Sequence, residues 1–208
     1  MAAGARGGRS ELMLKVALTG GIATGKSYVL EQFRRRGIPV LDADMLAHGV
    51  MAPGTEATAA IAARFGAVIG DDGGVDRAKL GPIVFADDNA RRDLEAIVHP
   101  GVYRAITVGL RAFERIGDAP LVVVDVPLLY ETDHAADFDR VIVTACPIEV
   151  QRERLRARGL TDIQAAQRLA AQYSTDEKAA RADFVIRTDG LLEDTDRQVE
   201  EVVRALVP

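Results

Sequence analysis

Gly20-Gly21-Ile22-Ala23-Thr24-Gly25-Lys26-Ser27 decides how this 208-residue chain is read. The stretch fits G-x-x-x-x-G-K-[ST], a loop that wraps a phosphate. Its glycines let the backbone curl into conformations a Cβ would forbid. The exposed N–H groups of Gly21 to Tyr28 then point at phosphate oxygens. Lys26 is placed to reach the β- and γ-phosphates, and the Ser27 hydroxyl to ligate Mg²⁺. Both flanks suit such a loop. Leu14 to Leu18 reads as a buried strand. Tyr28 to Arg36 reads as a helix with Val29, Leu30 and Phe33 on one face, whose N-terminus adds partial positive charge at Ser27.

Outward from the loop, apolar strands alternate with helical patterns, which predicts a parallel sheet with crossover helices. Ile38-Pro39-Val40-Leu41 reads as a second strand, Leu121 to Val124 as a central strand apolar throughout, Arg140 to Ala145 as another, and Phe184-Val185-Ile186 as the last. Leu191 to Leu206 closes the chain as an amphipathic helix. Between Pro53 and Gly117 strand-like runs are scarce. Helices are expected over Thr55 to Phe65, Arg77 to Phe85 and Asp87 to Arg115, the last kinked or broken at Pro100. The fold class is therefore α/β, a three-layer sandwich of the phosphate-loop nucleoside-triphosphatase type. Its core takes residues 13–50, 118–148 and 183–208, a helical substrate-binding insertion 51–117, and a helical lid 149–182. Residues 1–12 read as a flexible leader without the continuous apolar stretch of a signal peptide.

Composition narrows the classes further. A net charge of -5 disfavours a general nucleic-acid binder. One cysteine, Cys146, excludes an internal disulfide framework and reads as a small buried residue. A reducing cytoplasm is the simplest home. No apolar run approaches the ~20 residues of a membrane span. The three histidines, His48, His99 and His134, lack zinc-ligand spacing.

Carboxylates stand where the strands end. Asp42 and Asp44, two apart after the second strand, are expected to project to one side at the carboxyl edge of the sheet, where open α/β sheets bind ligands. One reading is a helix N-cap for Met45 to Val50. The other is a Mg²⁺-water contact for one and a general base for the other. Asp125 closes the central strand like an acid acting on Mg²⁺ through water, or caps it. The segment from Glu149 to Ala182 carries Arg152, Arg154, Arg156, Arg158, Arg168 and Arg181. These form either a solvated face with i,i+4 pairs or a lid that brings arginine to a transferring phosphoryl group. Gly159 and Thr161 offer a break between two lid helices. Together the features describe a small-molecule kinase and leave the acceptor unnamed.

From about Leu14 to Leu206 the chain resembles the dephospho-coenzyme A kinases. The likeness lies in Leu18-Thr19-Gly20-Gly21-Ile22 with Gly25-Lys26-Ser27, Asp42-Ala43-Asp44, His99-Pro100, Asp125-Val126-Pro127-Leu128-Leu129-Tyr130-Glu131, Arg158, Gln172, Lys178 and Ala182 to Ile186. The resemblance implies that ATP phosphorylates the ribose 3′-hydroxyl of dephospho-coenzyme A, with Mg²⁺ as cofactor and a monomer or weak oligomer as the working form. It implies Asp44 as general base, Asp42 as a Mg²⁺-shell acid with Asp125 able to share that role, Arg158 on the ATP phosphates, and His99 on the substrate. Three positions depart from the family's pattern. Ala23 replaces a usual glycine and Tyr28 a small hydroxyl residue, so a hydroxyl is moved away from the α-phosphate while the Tyr28 N–H stays available. Thr188 replaces an asparagine beside the adenine site. Shikimate-type and nucleoside monophosphate kinases share the loop and lid but not Asp125 to Leu129. A GTP-dependent switch would need an Asn-Lys-x-Asp motif, which is absent from the sequence.

Overall fold

A computed structural model describes residues 13–207; the leader reading for residues 1–12 lies outside them. The strands are β1 (Leu14–Gly20), β2 (Val40–Asp42), β3 (Leu121–Asp125), β4 (Arg140–Ala145) and β5 (Phe184–Arg187). They form one sheet in the order β2-β3-β1-β4-β5. β1 runs parallel to β4, pairing Val16 with Arg140 and Gly20 with Thr144; β4 runs parallel to β5, pairing Ala145 with Arg187. Parallel neighbours need crossovers, and helices supply them.

Two compact units divide the chain. Among the described residues, the first takes 13–40, 112–123 and 127–207; the second takes 41–111 and 124–126. In the first, period-two alternation puts Val16 and Leu18 of β1, Leu121 and Val123 of β3, Ile142 of β4 and Ile186 of β5 on one face of the sheet. Two helices cover that face: α1 (Lys26–Arg35) with Val29, Leu30 and Phe33, and α9 (Leu192–Leu206) with Val199, Val202 and Leu206. Phe33 is fully buried there. Both helices bury residues three and four apart, the spacing of one helical face.

The second unit is built on helices: α2 (Ala43–Val50), α3 (Glu56–Phe65), α4 (Arg77–Ala86) and most of α5 (Asp88–Ile116). Asp42, Thr55 and Asp76 cap the first three through side-chain oxygens. α5 buries Val98, Val102, Ile106 and Leu110. Here the structure corrects the expected break at Pro100. α5 runs uninterrupted through Pro100, because Pro100 and Ala96, whose carbonyl loses its partner, both lie on the exposed side where water can serve it. Strand two is also shorter than its apolar run: Ile38 and Pro39 precede β2, although the Pro39 carbonyl still accepts the Val123 N–H at 3.0 Å.

The arginine-rich segment is three helices, α6 (Ile148–Ala157), α7 (Asp162–Ala170) and α8 (Thr175–Ala179). Gly159, at φ 84, ends the first. Thr161 opens the second with a capping box shared with Gln164, and Ser174 opens the third with one shared with Glu177.

Candidate active site

The loop at Gly20–Ser27 is shaped by its contacts. A Cβ on Gly20 would overlap the Thr144 and Thr24 hydroxyls, which themselves lie 2.7 Å apart. Gly25 stands at φ 80 and caps α1, a left-handed position suited to glycine. Several loop donors are already used. The Ile22 N–H donates to Gln172 Oε1 at 2.9 Å, the Thr24 N–H to Gly21 O at 3.3 Å, and the Tyr28 N–H to Gly25 O at 3.0 Å. Tyr28, whose N–H is read as available to phosphate, thus also uses it in the first turn of α1. Its hydroxyl donates to Asp196 on α9 at 2.8 Å, a bond that also raises its pKa. Among the described residues, the N–H groups of Ala23, Gly25 and Ser27 have no acceptor. Loop donors left open in this way suit an anion. Lys26 opens α1 and Ser27 is exposed beside it.

Side chains from α6 and from the turn after β5 hold the loop from behind. Gln151 Nε2 donates to Ile22 O at 2.8 Å, and Arg154 Nη1 donates to Ala23 O at 3.1 Å. Arg154 also reaches the Thr188 carbonyl and its Oγ1. Thr188 Oγ1 in turn donates to Thr24 O at 2.7 Å, so its hydroxyl faces the loop. Cys146 is buried next to Arg154; burial pushes its thiol pKa up, which suits the packing role expected for it. The sequence marks neither Gln151 nor Arg154 as special. Six arginines share one segment, and only folding turns Arg154 inward.

A second group missed as a site lies after β3. Lys178 on α8 has no exposed side-chain surface and pairs with Glu131 Oε1 at 2.8 Å. Its ammonium also donates to the Pro127 carbonyl at 3.0 Å, which Thr19 Oγ1 approaches at 3.2 Å. Burial lowers the Lys178 pKa, Glu131 raises it, and the Lys26 charge lowers it again. Glu131 Oε1 also accepts the Tyr173 N–H at 2.9 Å. Arg181 lies over the Tyr130 ring, 4.2 Å from its centroid. The quoted family motif contained Glu131 and Lys178, so a signal was present, but their pairing was not legible.

The carboxylates and His99 belong to the second unit. Asp42 is the N-cap of α2: its Oδ1 accepts the N–H groups of Asp44 at 3.0 Å and Met45 at 3.1 Å. The expected strand-end alternation of Asp42 and Asp44 is corrected by this. β2 ends at Asp42, Asp44 sits in the first turn of a helix, and strand periodicity does not relate them. Asp44 is exposed, and its carboxylate has no partner among the described residues. Asp125 ends β3 and is 6% exposed. His99 lies half-buried on α5. In the first unit, Arg158 ends α6 as its C-cap with its side chain exposed. A cavity of about 740 Å³ there is lined by Gly21, Ile22, Gln151, Gln172, Thr175 and Arg187, among others. Among the described residues no three His, Cys, Asp or Glu side chains group as a metal site.

A parallel sheet whose first strand enters a G-x-x-x-x-G-K-S loop, with open loop donors and an arginine-bearing helical segment, defines a phosphate-loop kinase. A family model described as dephospho-CoA kinase matches residues 14–194. The dephospho-CoA kinase of Anaeromyxobacter dehalogenans is 52% identical over 180 residues, 86% of this chain and 85% of that protein. That of Symbiobacterium thermophilum is 47% identical over 192 residues, covering 91% and 80%. The crystal structure of TT1252 from Thermus thermophilus superimposes with a TM-score of 0.74 at 33% identity, covering 94% of this chain and 99% of that one. A shikimate kinase from Acinetobacter baumannii, 15% identical with a TM-score of 0.53 and covering 95% and 94%, shares the fold. The chain belongs to the dephospho-CoA kinase family.

Proposed function

We propose that this chain transfers the γ-phosphoryl group of ATP to the ribose 3′-hydroxyl of dephospho-coenzyme A. The observation that carries the reading is the loop, where the N–H groups of Ala23, Gly25 and Ser27 have no acceptor among the described residues, on a chain whose family is the dephospho-CoA kinases. Phosphoryl transfer is largely a matter of positioning and charge neutralisation. In our reading the N–H groups of Ala23, Gly25 and Ser27, with Lys26, cradle the phosphates. Arg158, exposed at the end of α6, meets the transferring group when the lid closes. Asp44, exposed and unpaired among the described residues, accepts the proton of the acceptor hydroxyl. His99 contacts the acceptor.

The donor set suits a small hard cation, since it offers hydroxyl and carboxylate oxygens and no soft ligand. By the family resemblance, Ser27 and Asp42 would hold Mg²⁺, with Asp125 able to share Asp42's role. Mg²⁺, when bound, draws charge from the β- and γ-phosphate oxygens. We place the reaction in the cytoplasm, with a monomer or weak oligomer as the working unit. No helix of the described residues is long and apolar enough to cross a membrane.

ADP release with Mg-ATP tests the proposal when dephospho-coenzyme A is compared with shikimate, nucleoside monophosphates and no acceptor. Turnover is expected with dephospho-coenzyme A alone. Asp44→Asn is expected to lower kcat about 10²- to 10⁴-fold, the usual range for a general base, while ATP still binds. Equal turnover without acceptor would defeat the reading.

A further inference from the structure

Ala23 stands at φ 61, a left-handed conformation that disfavours any residue with a Cβ. Such a residue persists only where its surroundings over-determine it. Here the peptides on both sides of its Cα are held by α6. Gln151 Nε2 donates to the carbonyl of Ile22, before Ala23; Arg154 Nη1 donates to the carbonyl of Ala23 itself. On the far side of Ile22, Gln172 takes its N–H.

The peptide unit is planar and trans, so its C=O and N–H point in opposite directions. Fixing the Ile22 carbonyl on Gln151 therefore aims the Ala23 N–H away from α6. That N–H is among those with no acceptor in the described residues. Gln151 is 3% exposed, and a Cβ added to Gly21 would lie 2.7 Å from its Nε2, so the amide is packed directly against the loop. We infer that Gln151 is a positioning residue for nucleotide binding: it keeps Ala23 left-handed and turns the Ala23 N–H toward the nucleotide's phosphates. The inference rests on the nucleotide-binding part of the proposed function and is independent of the acceptor.

The test is a double-mutant cycle read by calorimetric binding of Mg-ATP without acceptor, on the parent chain, Gln151→Met, Ala23→Gly and the double variant. Methionine keeps the length and bulk of glutamine without its donor. Glycine adopts the left-handed conformation at no steric cost. Gln151→Met is expected to weaken Mg-ATP about tenfold in the parent and about twofold in the Ala23→Gly background, the scale of one lost hydrogen bond. Thermal melts are expected to show all four chains folded, and kcat at saturating ATP is expected to change less than the KM for ATP. An equal loss in both backgrounds, or no loss in either, would overturn the inference. A drop in kcat at unchanged KM would overturn it as well.

Discussion

Lys178 carries a buried charge with a nearby carboxylate partner. Its ammonium is fully buried, and Glu131 supplies its counter-charge at 2.8 Å. Removing one partner of a buried pair leaves the other uncompensated, whereas replacing both by apolar groups can be nearly neutral. Glu131→Gln is therefore expected to destabilise the fold by about 3 kcal/mol in urea melts, and Lys178→Met with Glu131→Leu by clearly less. The pH dependence has a definite sign. Burial, the leading cause, lowers the folded-state pKa of Lys178. Between that value and the ordinary lysine value the unfolded chain binds the extra proton, so stability rises with pH across that window. The stability of the parent minus that of Lys178→Met should grow on the alkaline side; a difference that shrinks there would contradict the assignment. At this scale the phosphate loop is legible from sequence because G-x-x-x-x-G-K-[ST] states chemistry directly. Arg154 and Gln151 are not, since their work depends on which face of α6 meets the loop.

Elements were legible where one force decides them. The strand over Arg140 to Ala145 and the helix ending at Leu206 follow from apolar periodicity alone. The break between α6 and α7 follows from Gly159 and Thr161. Two elements show where a local rule fails. Asp42 is both the last residue of β2 and the cap of α2, so strand alternation stops two residues short of Asp44. Pro100 stays inside α5 because the helix is held by buried residues on either side of it, Val98 and Val102. Its missing N–H is then a standing local cost rather than a break. Pro100→Ala restores that donor on an exposed face. It is expected to stabilise the chain by about 1 kcal/mol in urea melts, a cautious fraction of the proline penalty in a helix interior. A loss of stability would mean that the proline ring makes contacts the helix needs.

The whole molecule joins a nucleotide-type core to a helical unit that sequence composition marks by its scarcity of strands. Its fold class was legible because a buried parallel sheet leaves continuous apolar runs such as Leu121 to Val124. The acceptor follows from the family, not from the loop, which many kinases share. The central claim is thus the transfer of phosphate to one particular hydroxyl. The most direct measurement is the ³¹P NMR spectrum of the product after incubation with Mg-ATP and dephospho-coenzyme A, with the proton couplings assigning the esterified position. A new phosphomonoester on the ribose 3′-oxygen, formed in step with ADP, is the expected result. Phosphate on any other oxygen, or inorganic phosphate released with the acceptor unchanged, would contradict the account.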